Sequence, residues 1–405
     1  MDAGRAEAFA NGFVRIGSDG RIAGVGPWRA DLDAEPAVDT GGALILPAFV
    51  DAHVHLPQLD VRARYGAPLL RWLERDVYPA EAGFADPEHA ARASARFFRA
   101  LAAAGTGTAA VFATVHPEAA ERAFEAAEAS GLRIVMGKVL MDRGAPPALL
   151  ESAADGIRAT RALAERWDGG GGGRLSVAVT PRFAPACSRE ILSAAGALAR
   201  DAGLRVQTHL AESADEIEAV RRAFPEAGDY LEVYERAGLA TDRAIFAHAV
   251  HLDTSEFSRL ASAGSAIACC PTSNAFLGAG AFPLTAARET GVEIGLGSDV
   301  GAGPQLSLLD VGRHLAYLDR PPAEEILYRV TLGGARALGL DGATGRLVPG
   351  RAADVLLLAP PTDAVGNPLE RFVQCVFRQP ETRVVALLVD GSLVHGRLEP
   401  ERRAG

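Results

Sequence analysis

Lysine is nearly absent. Of the 41 basic residues in this 405-residue sequence only Lys138 is a lysine, and the rest are arginine. Any role that needs a lysine therefore has one position to fall on. Cysteine is also scarce. Cys187, Cys269, Cys270 and Cys375 are too few and too irregularly spaced for a disulfide framework, and no C-x-x-C pair occurs, so the thiols are expected to be small core residues in a reducing, cytoplasmic compartment. The stretch Met1 to Glu7 lacks a basic start followed by an apolar run, and nothing approaches the ~18 consecutive apolar residues of a membrane span, so neither a secretory leader nor a membrane anchor is expected. Basic charge is in deficit as well: 41 Lys+Arg against 51 Asp+Glu gives a net charge of −10. That balance makes no electrostatic case for nucleic acid or an anionic membrane, and a small-molecule partner is expected.

Several chemical signatures are missing too. No G-x-G-x-x-G or P-loop follows a strand, and no G-x-S-x-G is present to support nucleophilic serine chemistry. Zinc deaminases acting on bases in nucleic acids carry H-x-E followed by P-C-x-x-C, which Cys269-Cys270-Pro271 does not match. There is no solenoid repeat, and the Gly169 to Gly173 run reads as a flexible loop tip without phosphate-binding meaning.

What is present is an ordinary globular composition, 48% apolar and 23% charged, long enough for one large domain and a smaller satellite. Short β-type runs alternate with Ala/Glu/Arg helical stretches. Eight strands are predicted, over Leu46 to His55, Thr108 to Val115, Arg133 to Met141, Leu175 to Phe183, Arg205 to Leu210, Ala244 to His248, Ser265 to Cys270 and Val292 to Asp299. Helices fall between most of them, for example Pro87 to Ala104 and Ser188 to Ala202. That repeat predicts an α/β fold, a (β/α)8 barrel over residues 46–345. The ends differ: Gly12 to Ile22, Asp354 to Ala359 and Arg383 to Val394 are short strands broken by Gly turns. Residues 1–45 and 346–405 are expected to meet in one small β-sandwich-like domain.

The chemistry sits at strand ends. In His53-Val54-His55 the two imidazoles share one face of the first strand, because side chains alternate with period two. An isolated H-x-H is weak evidence for a metal. Here, however, His209 ends the fifth strand, His248 the sixth and Asp299 the eighth. In a barrel the C-terminal ends of all strands face one mouth, where active sites of this fold lie. Three imidazoles and a carboxylate suit one divalent ion, Zn²⁺ or Fe²⁺, and bound water then has its pKa lowered towards ~7. Glu212, three residues after His209, is expected at the same mouth as a proton carrier. His89, His314 and His395 are read as ordinary, and His251 as structural or solvent-facing. His116 ends the second strand, which leaves pocket lining and a structural role equally open.

The order and placement of His53-x-His55, His209, His248 and Asp299 resemble the amidohydrolase superfamily. The segments Asp51 to Gln58, Leu69-Leu-Arg-Trp-Leu73, Tyr78-Pro-Ala-Glu81, Phe112 to Pro117, Gly137 to Asp142, Thr180-Pro-Arg-Phe183 and Cys270-Pro-Thr-Ser-Asn274 together resemble its guanine deaminase branch. The resemblance runs from about Leu46 to Leu340, with the Pro360 to Glu381 stretch trimmed and unlike it. It implies metal ligation by His53, His55, His209 and Asp299, with Glu212, His248 and Asp299 catalytic. Gln58, Trp72, Arg182 and Phe183 match the family's substrate-binding positions. Arg182 also has a rationale of its own, since a planar guanidinium is a rigid donor fork for the carbonyl oxygen and ring nitrogen of guanine. Position alone would instead make it a rim salt bridge. Relatives with two metals bridge them by a carboxylated lysine at the end of the fourth strand. That strand here ends in Thr180-Pro-Arg-Phe, with Lys138 on the third, so a single ion is expected.

The implied activity is hydrolytic deamination of guanine to xanthine and ammonia by a homodimer. The competing expectations are deamination of another amino-substituted heterocycle (a pterin, 8-oxoguanine or an aminotriazine) and, more remotely, a non-catalytic barrel scaffold.

Overall fold

Runs of Val, Ile, Leu and Ala that are apolar on both faces favour strands buried on both sides, as a parallel sheet under helices requires. In the computed structural model, which describes residues 6–32 and 37–398, these runs become fifteen strands among the described residues. Residues 1–5, 33–36 and 399–405 of the expected terminal segments lie outside the described residues. The chain opens with β1 (Gly12–Ile16), β2 (Ile22–Pro27) and β3 (Leu44–Pro47). It continues through β4 (Phe49–His55), β5 (Thr106–Phe112), β6 (Arg133–Gly137), the two-residue β7 (Val139–Leu140), β8 (Leu175–Pro181) and β9 (Arg205–Leu210). Then come β10 (Ala244–His248), β11 (Ala266–Cys269), β12 (Glu293–Leu296), β13 (Val355–Ala359), β14 (Arg383–Val389) and β15 (Ser392–Gly396).

Strands β4, β5, β6, β8, β9, β10, β11 and β12 pair in parallel in that order, with helices between them, which is the (β/α)8 barrel expected from the sequence. The seam between β12 and β4 is stitched just past the strand ends. There the Asp299 amide donates to the His53 carbonyl at 2.9 Å, and the His55 amide to the Val300 carbonyl at 3.3 Å. Gly297 lets the two segments approach. A Cβ on it would lie 2.8 Å from the His53 Cβ and 2.9 Å from the Cys270 Sγ, closer than side chains tolerate.

The helices begin and end where local chemistry dictates. Asp86 caps Pro87–Ala103 by accepting the Glu88 amide, and the buried face of that helix carries Phe97, Phe98 and Leu101, each worth about 2 kcal/mol of apolar burial. Ser188 caps Arg189–Ala202 through the Ile191 amide, and Gly203, at φ 64°, ends it. The Gly169 to Gly173 run is one tight turn between the helix Ala153–Trp167 and β8, with Gly171 and Gly172 in the left-handed region.

Both chain ends contribute to the second layer. Strands β15, β14, β13 and β3 form an antiparallel sheet in that order, and the β1–β2 hairpin lies against it, with Ile22, Val355, Leu357 and Leu388 between. The expected first strand is therefore corrected at its start: Leu46 pairs with Leu356 in the small sheet, and the barrel strand begins at Phe49. Arg133, at the foot of β6, ties the layers together by donating to Asp354 at 3.1 Å and Asp390 at 2.8 Å. The trimmed stretch after Pro360 contains a helix, Pro368–Phe377, opened by a capping box of Asn367 and Glu370.

Candidate active site

Each chemically suggestive side chain sits at the same end of the barrel. His53 and His55 lie on the last turn of the β4 pleat, His209 is the penultimate residue of β9, His248 ends β10, and Asp299 follows β12. Two of them hold unusual backbone: His248 has φ 71° and Asp299 φ 45°. Non-glycine residues in the left-handed region cost on the order of 1 kcal/mol or more, and such strain gathers at functional sites where a side chain must be aimed.

The four imidazoles and Asp299 converge. The Nε2 atoms of His55 and His209 face each other at 3.1 Å. The Nε2 of His53 lies 3.3 Å from Asp299 Oδ1, and that of His55 lies 3.4 Å from the same oxygen. All five groups are buried. His209 donates from Nδ1 to the Arg182 carbonyl at 2.5 Å, so its neutral ring turns the Nε2 lone pair inward. Burial pushes the His55 and His209 pKa values well down, and neighbouring charges add to this, so both rings are neutral. The His209 Nε2 lone pair thus faces the His55 Nε2 at 3.1 Å, and the His53 Nε2 faces the Asp299 carboxylate beside them. The ligand atoms of His53, His55 and His209 lie within 4.8 Å of one another, as do those of His53, His248 and Asp299. This donor set fits a single divalent ion.

The two carboxylates beside the histidines have opposite protonation. Burial raises the carboxyl of Asp299, but hydrogen bonding to His53 and the charges of His53 and His248 outweigh it and hold the pKa at about 2. Burial, reinforced by Asp299, pushes Glu212 well above the usual carboxylate range. An ionised acceptor thus adjoins a protonated donor, the division of labour acid/base chemistry needs. His248 stands between them, its Nε2 at 3.5 Å from Glu212 and 3.9 Å from Asp299. Its Nδ1 meets the Asn274 Oδ1 at 2.9 Å. The amide oxygen only accepts, so Nδ1 is the donor of this bond and Nε2 faces the centre.

A pocket opens directly over this cluster. It is lined by His55, His209, Glu212, His248 and Asp299, by the polar Gln58 and Arg182, and by the apolar Leu69, Trp72, Phe183 and Leu277. Gln58, Trp72, Arg182 and Phe183, dispersed over 125 positions of sequence, therefore meet in one place. Arg182 does form a salt bridge, as its position suggested, but the pair is deep inside rather than at the rim. Its Nη1 donates to Glu81 Oε2 at 2.5 Å, and its relative exposure is 3%. Burial disfavours the guanidinium charge, yet the neighbouring Glu81 more than compensates and raises its pKa.

The other histidines fall outside the pocket. His116 is half-buried ahead of the helix Pro117–Ser130 and is not among the residues lining the pocket. The His251 Nε2 meets the Ala279 carbonyl at 2.8 Å, His89 packs edge-on to Phe84, and the His314 Nδ1 meets the Asp310 carbonyl. Sequence reasoning gave no role to Asp51, Glu81, Asn274 or Ser298. Asp51 accepts from the His53 amide at 3.2 Å and from the Ser298 amide and hydroxyl at 2.9 and 2.5 Å, bracing β4 against the segment that carries Asp299. Period-two spacing with His53 and His55 was the available signal for Asp51. Glu81 ends one of the segments that carry the resemblance, but its pairing could not be read, because Arg182 lies 101 residues away.

The sequence matches the amidohydrolase family over residues 44–394. It is 40% identical over 351 residues to the guanine deaminase of Escherichia coli (84% of this chain, 80% of that one). It is 41% identical over 371 residues to the probable guanine deaminase of Deinococcus radiodurans (87% of this chain, 84% of that one). The fold superimposes on the crystal structure of guanine deaminase from C. acetobutylicum with guanine bound in its active site, with a TM-score of 0.90 and 26% identity, over 97% of each chain.

Proposed function

The chain belongs to the amidohydrolase family, and from that premise we propose that it is a hydrolase converting guanine to xanthine and ammonia at the mouth of its barrel. The observation that carries this reading is the pocket itself. Arg182, a donor fork, lines it together with the His/Asp cluster and the aromatic residues Trp72 and Phe183, the groups that a flat base with a carbonyl on one edge and an amine on the other calls for.

His53, His55, His209 and Asp299 are the residues that would hold the ion, which we take to be Zn²⁺. When bound it supplies a Lewis acid that makes water nucleophilic near neutral pH. The chain's own groups do the rest. Arg182 donates to the carbonyl oxygen and to N7, the ring-nitrogen acceptor on the same edge, Gln58 adds a second polar contact, and Trp72 and Phe183 fix the ring plane. Asp299, ionised, accepts a proton from the attacking water. Glu212, protonated, delivers its proton to N3 as the water oxygen bonds to C2. His248 stabilises the tetrahedral centre. Glu212 next takes the hydroxyl proton of the tetrahedral centre and passes it to the amine, the C2–N bond breaks to release ammonia, and the proton held by Asp299 returns to Glu212, so that in net the two water protons finish on ammonia and on N3.

The compartment we propose is the cytoplasm, supported by four buried free thiols among the described residues, and the assembly a homodimer, as the family resemblance implies. Light scattering tests the assembly. No helix among the described residues is long and apolar enough to cross a membrane.

The test of the reaction is an ultraviolet assay of purified, metal-analysed protein with guanine, following xanthine and ammonia together. Stoichiometric release of both is expected. Metal-replete protein that leaves guanine intact but deaminates a pterin, 8-oxoguanine or an aminotriazine would move the assignment to that heterocycle.

A further inference from the structure

Glu81 lies on the short helix Tyr78–Ala82, beside the polar residues of the pocket, with 4% relative exposure. A buried carboxylate is costly unless each oxygen finds a donor. Here each does, and both donors are pocket residues: Oε2 accepts from Arg182 Nη1 at 2.5 Å, and Oε1 from Gln58 Nε2 at 3.2 Å. The Tyr78 ring flanks the same guanidinium, its centroid 5.4 Å away.

Two consequences follow from the chemistry of these groups. A carboxylate accepts and never donates, so the Gln58 atom facing it must be the amide nitrogen. The amide oxygen is then turned towards the Gly301 amide, 3.5 Å away. With one of its five N–H groups committed to Glu81 and its plane against Tyr78, Arg182 can present the remainder only along a fixed direction. The second consequence is charge. Arg182 is the one arginine lining this pocket, and an uncompensated buried guanidinium would select for anionic ligands. Its pairing with Glu81 leaves the two together neutral.

We propose that Glu81 is a positioning and specificity-determining residue: it sets the orientation of Gln58 and Arg182 and makes the pocket take a neutral purine in preference to an anionic one. This rests on the guanine reading above and goes beyond it by naming what tunes the site to an uncharged base.

The test separates binding from turnover. Hypoxanthine is neutral, carries the carbonyl and ring nitrogen that Arg182 would grip, and has no amine to lose. Urate is a purine that is anionic at neutral pH. Affinities of both for metal-loaded wild type, Glu81→Gln and Glu81→Asp would be measured calorimetrically, alongside KM and kcat for guanine, metal content and melting temperature. In Glu81→Gln hypoxanthine is expected to weaken by about tenfold or more while urate tightens, reversing their order, with KM for guanine rising more than kcat falls. Glu81→Asp keeps the charge but withdraws it from Gln58, so it should lose hypoxanthine affinity while still rejecting urate. This variant carries the test if the glutamine variant fails to fold.

An unchanged ratio of hypoxanthine to urate affinity in folded, metal-loaded Glu81 variants, beside a wild type that turns over guanine, overturns the assignment of Glu81 alone. Absence of guanine turnover by the metal-loaded wild type overturns instead the reading on which it rests.

Discussion

The main-chain carbonyl of Arg182 accepts a 2.5 Å hydrogen bond from Nδ1 of His209, while the side chain of the same residue reaches into the pocket. One residue thus touches two parts of the site: its backbone fixes the tautomer and angle of a histidine in the candidate metal cluster, and it also lines the pocket, where we propose that its guanidinium meets the substrate.

This separation makes the two roles independently removable. Arg182→Met keeps the carbonyl and should keep metal content at wild-type level. Loss of hydrogen bonds from a charged donor costs about 2 kcal/mol, so kcat/KM for guanine is expected to fall about 30-fold, mostly through KM. Metal analysis with steady-state kinetics checks both halves. An unchanged kcat/KM would remove Arg182 from the pocket's working parts.

Glu212 has the opposite profile. It is buried, its pKa is pushed well up by that burial and by Asp299, and it lies near His248, but it does not belong to the cluster of His53, His55 and His209. Glu212→Gln preserves shape and hydrogen bonding while removing the transferable proton. A loss of about 10³-fold in kcat is expected, within the usual range for a positioned acid/base, with metal content and KM little changed. Turnover near the wild-type rate would assign proton delivery to another group.

The barrel was legible because short β-type runs rich in apolar residues alternate with helical stretches, and the ligand cluster because residues ending different strands must share a mouth. What escaped was non-local. Leu46 to His55 reads as one strand, yet Leu46 pairs with Leu356 of β13, 310 positions later, a connection no local pattern carries. The helix Pro368–Phe377 was hidden by the Pro and Gly residues before it, although its capping residues Asn367 and Glu370 are plain in the sequence. Glu81, Asn274 and Ser298 act through partners distant in the chain. Their residue types are common, so only the folded geometry distinguishes them.

The single lysine provides a test of the fold. Lys138 is fully buried, its Nζ donates to the carbonyls of Val115 at 3.1 Å and Val139 at 3.0 Å, and it pairs with Glu151. An amine-reactive ester should leave Lys138 unmodified in the native protein and label it fully after unfolding, as peptide mass spectrometry would read. Lys138→Met should strand Glu151 and two carbonyls, a loss on the order of 3 kcal/mol that lowers the melting temperature without altering the site. Labelling of Lys138 in the native state would contradict the burial.

The seam between β4 and β12 makes the last prediction, because it couples metal affinity to Asp51. That carboxylate contacts no metal-facing atom. It holds the His53 amide, the Ser298 amide and the Ser298 hydroxyl, and so sets how closely His53 approaches Asp299. Outer contacts of this kind typically contribute 10- to 100-fold to metal affinity. Stripping the protein with a chelator should abolish turnover and lower the melting temperature, and titrating Zn²⁺ back should restore both, since a ligand that binds only the folded state stabilises it in proportion to ln(1 + [L]/Kd). Asp51→Ala is expected to need about 10- to 100-fold more Zn²⁺ for half-restoration while reaching a similar final kcat, because Glu212, His248 and Arg182 are untouched. Equal Zn²⁺ requirements in the two proteins would mean that the seam is held by the main-chain bonds between Asp299 and His53 and between His55 and Val300, with Asp51 dispensable.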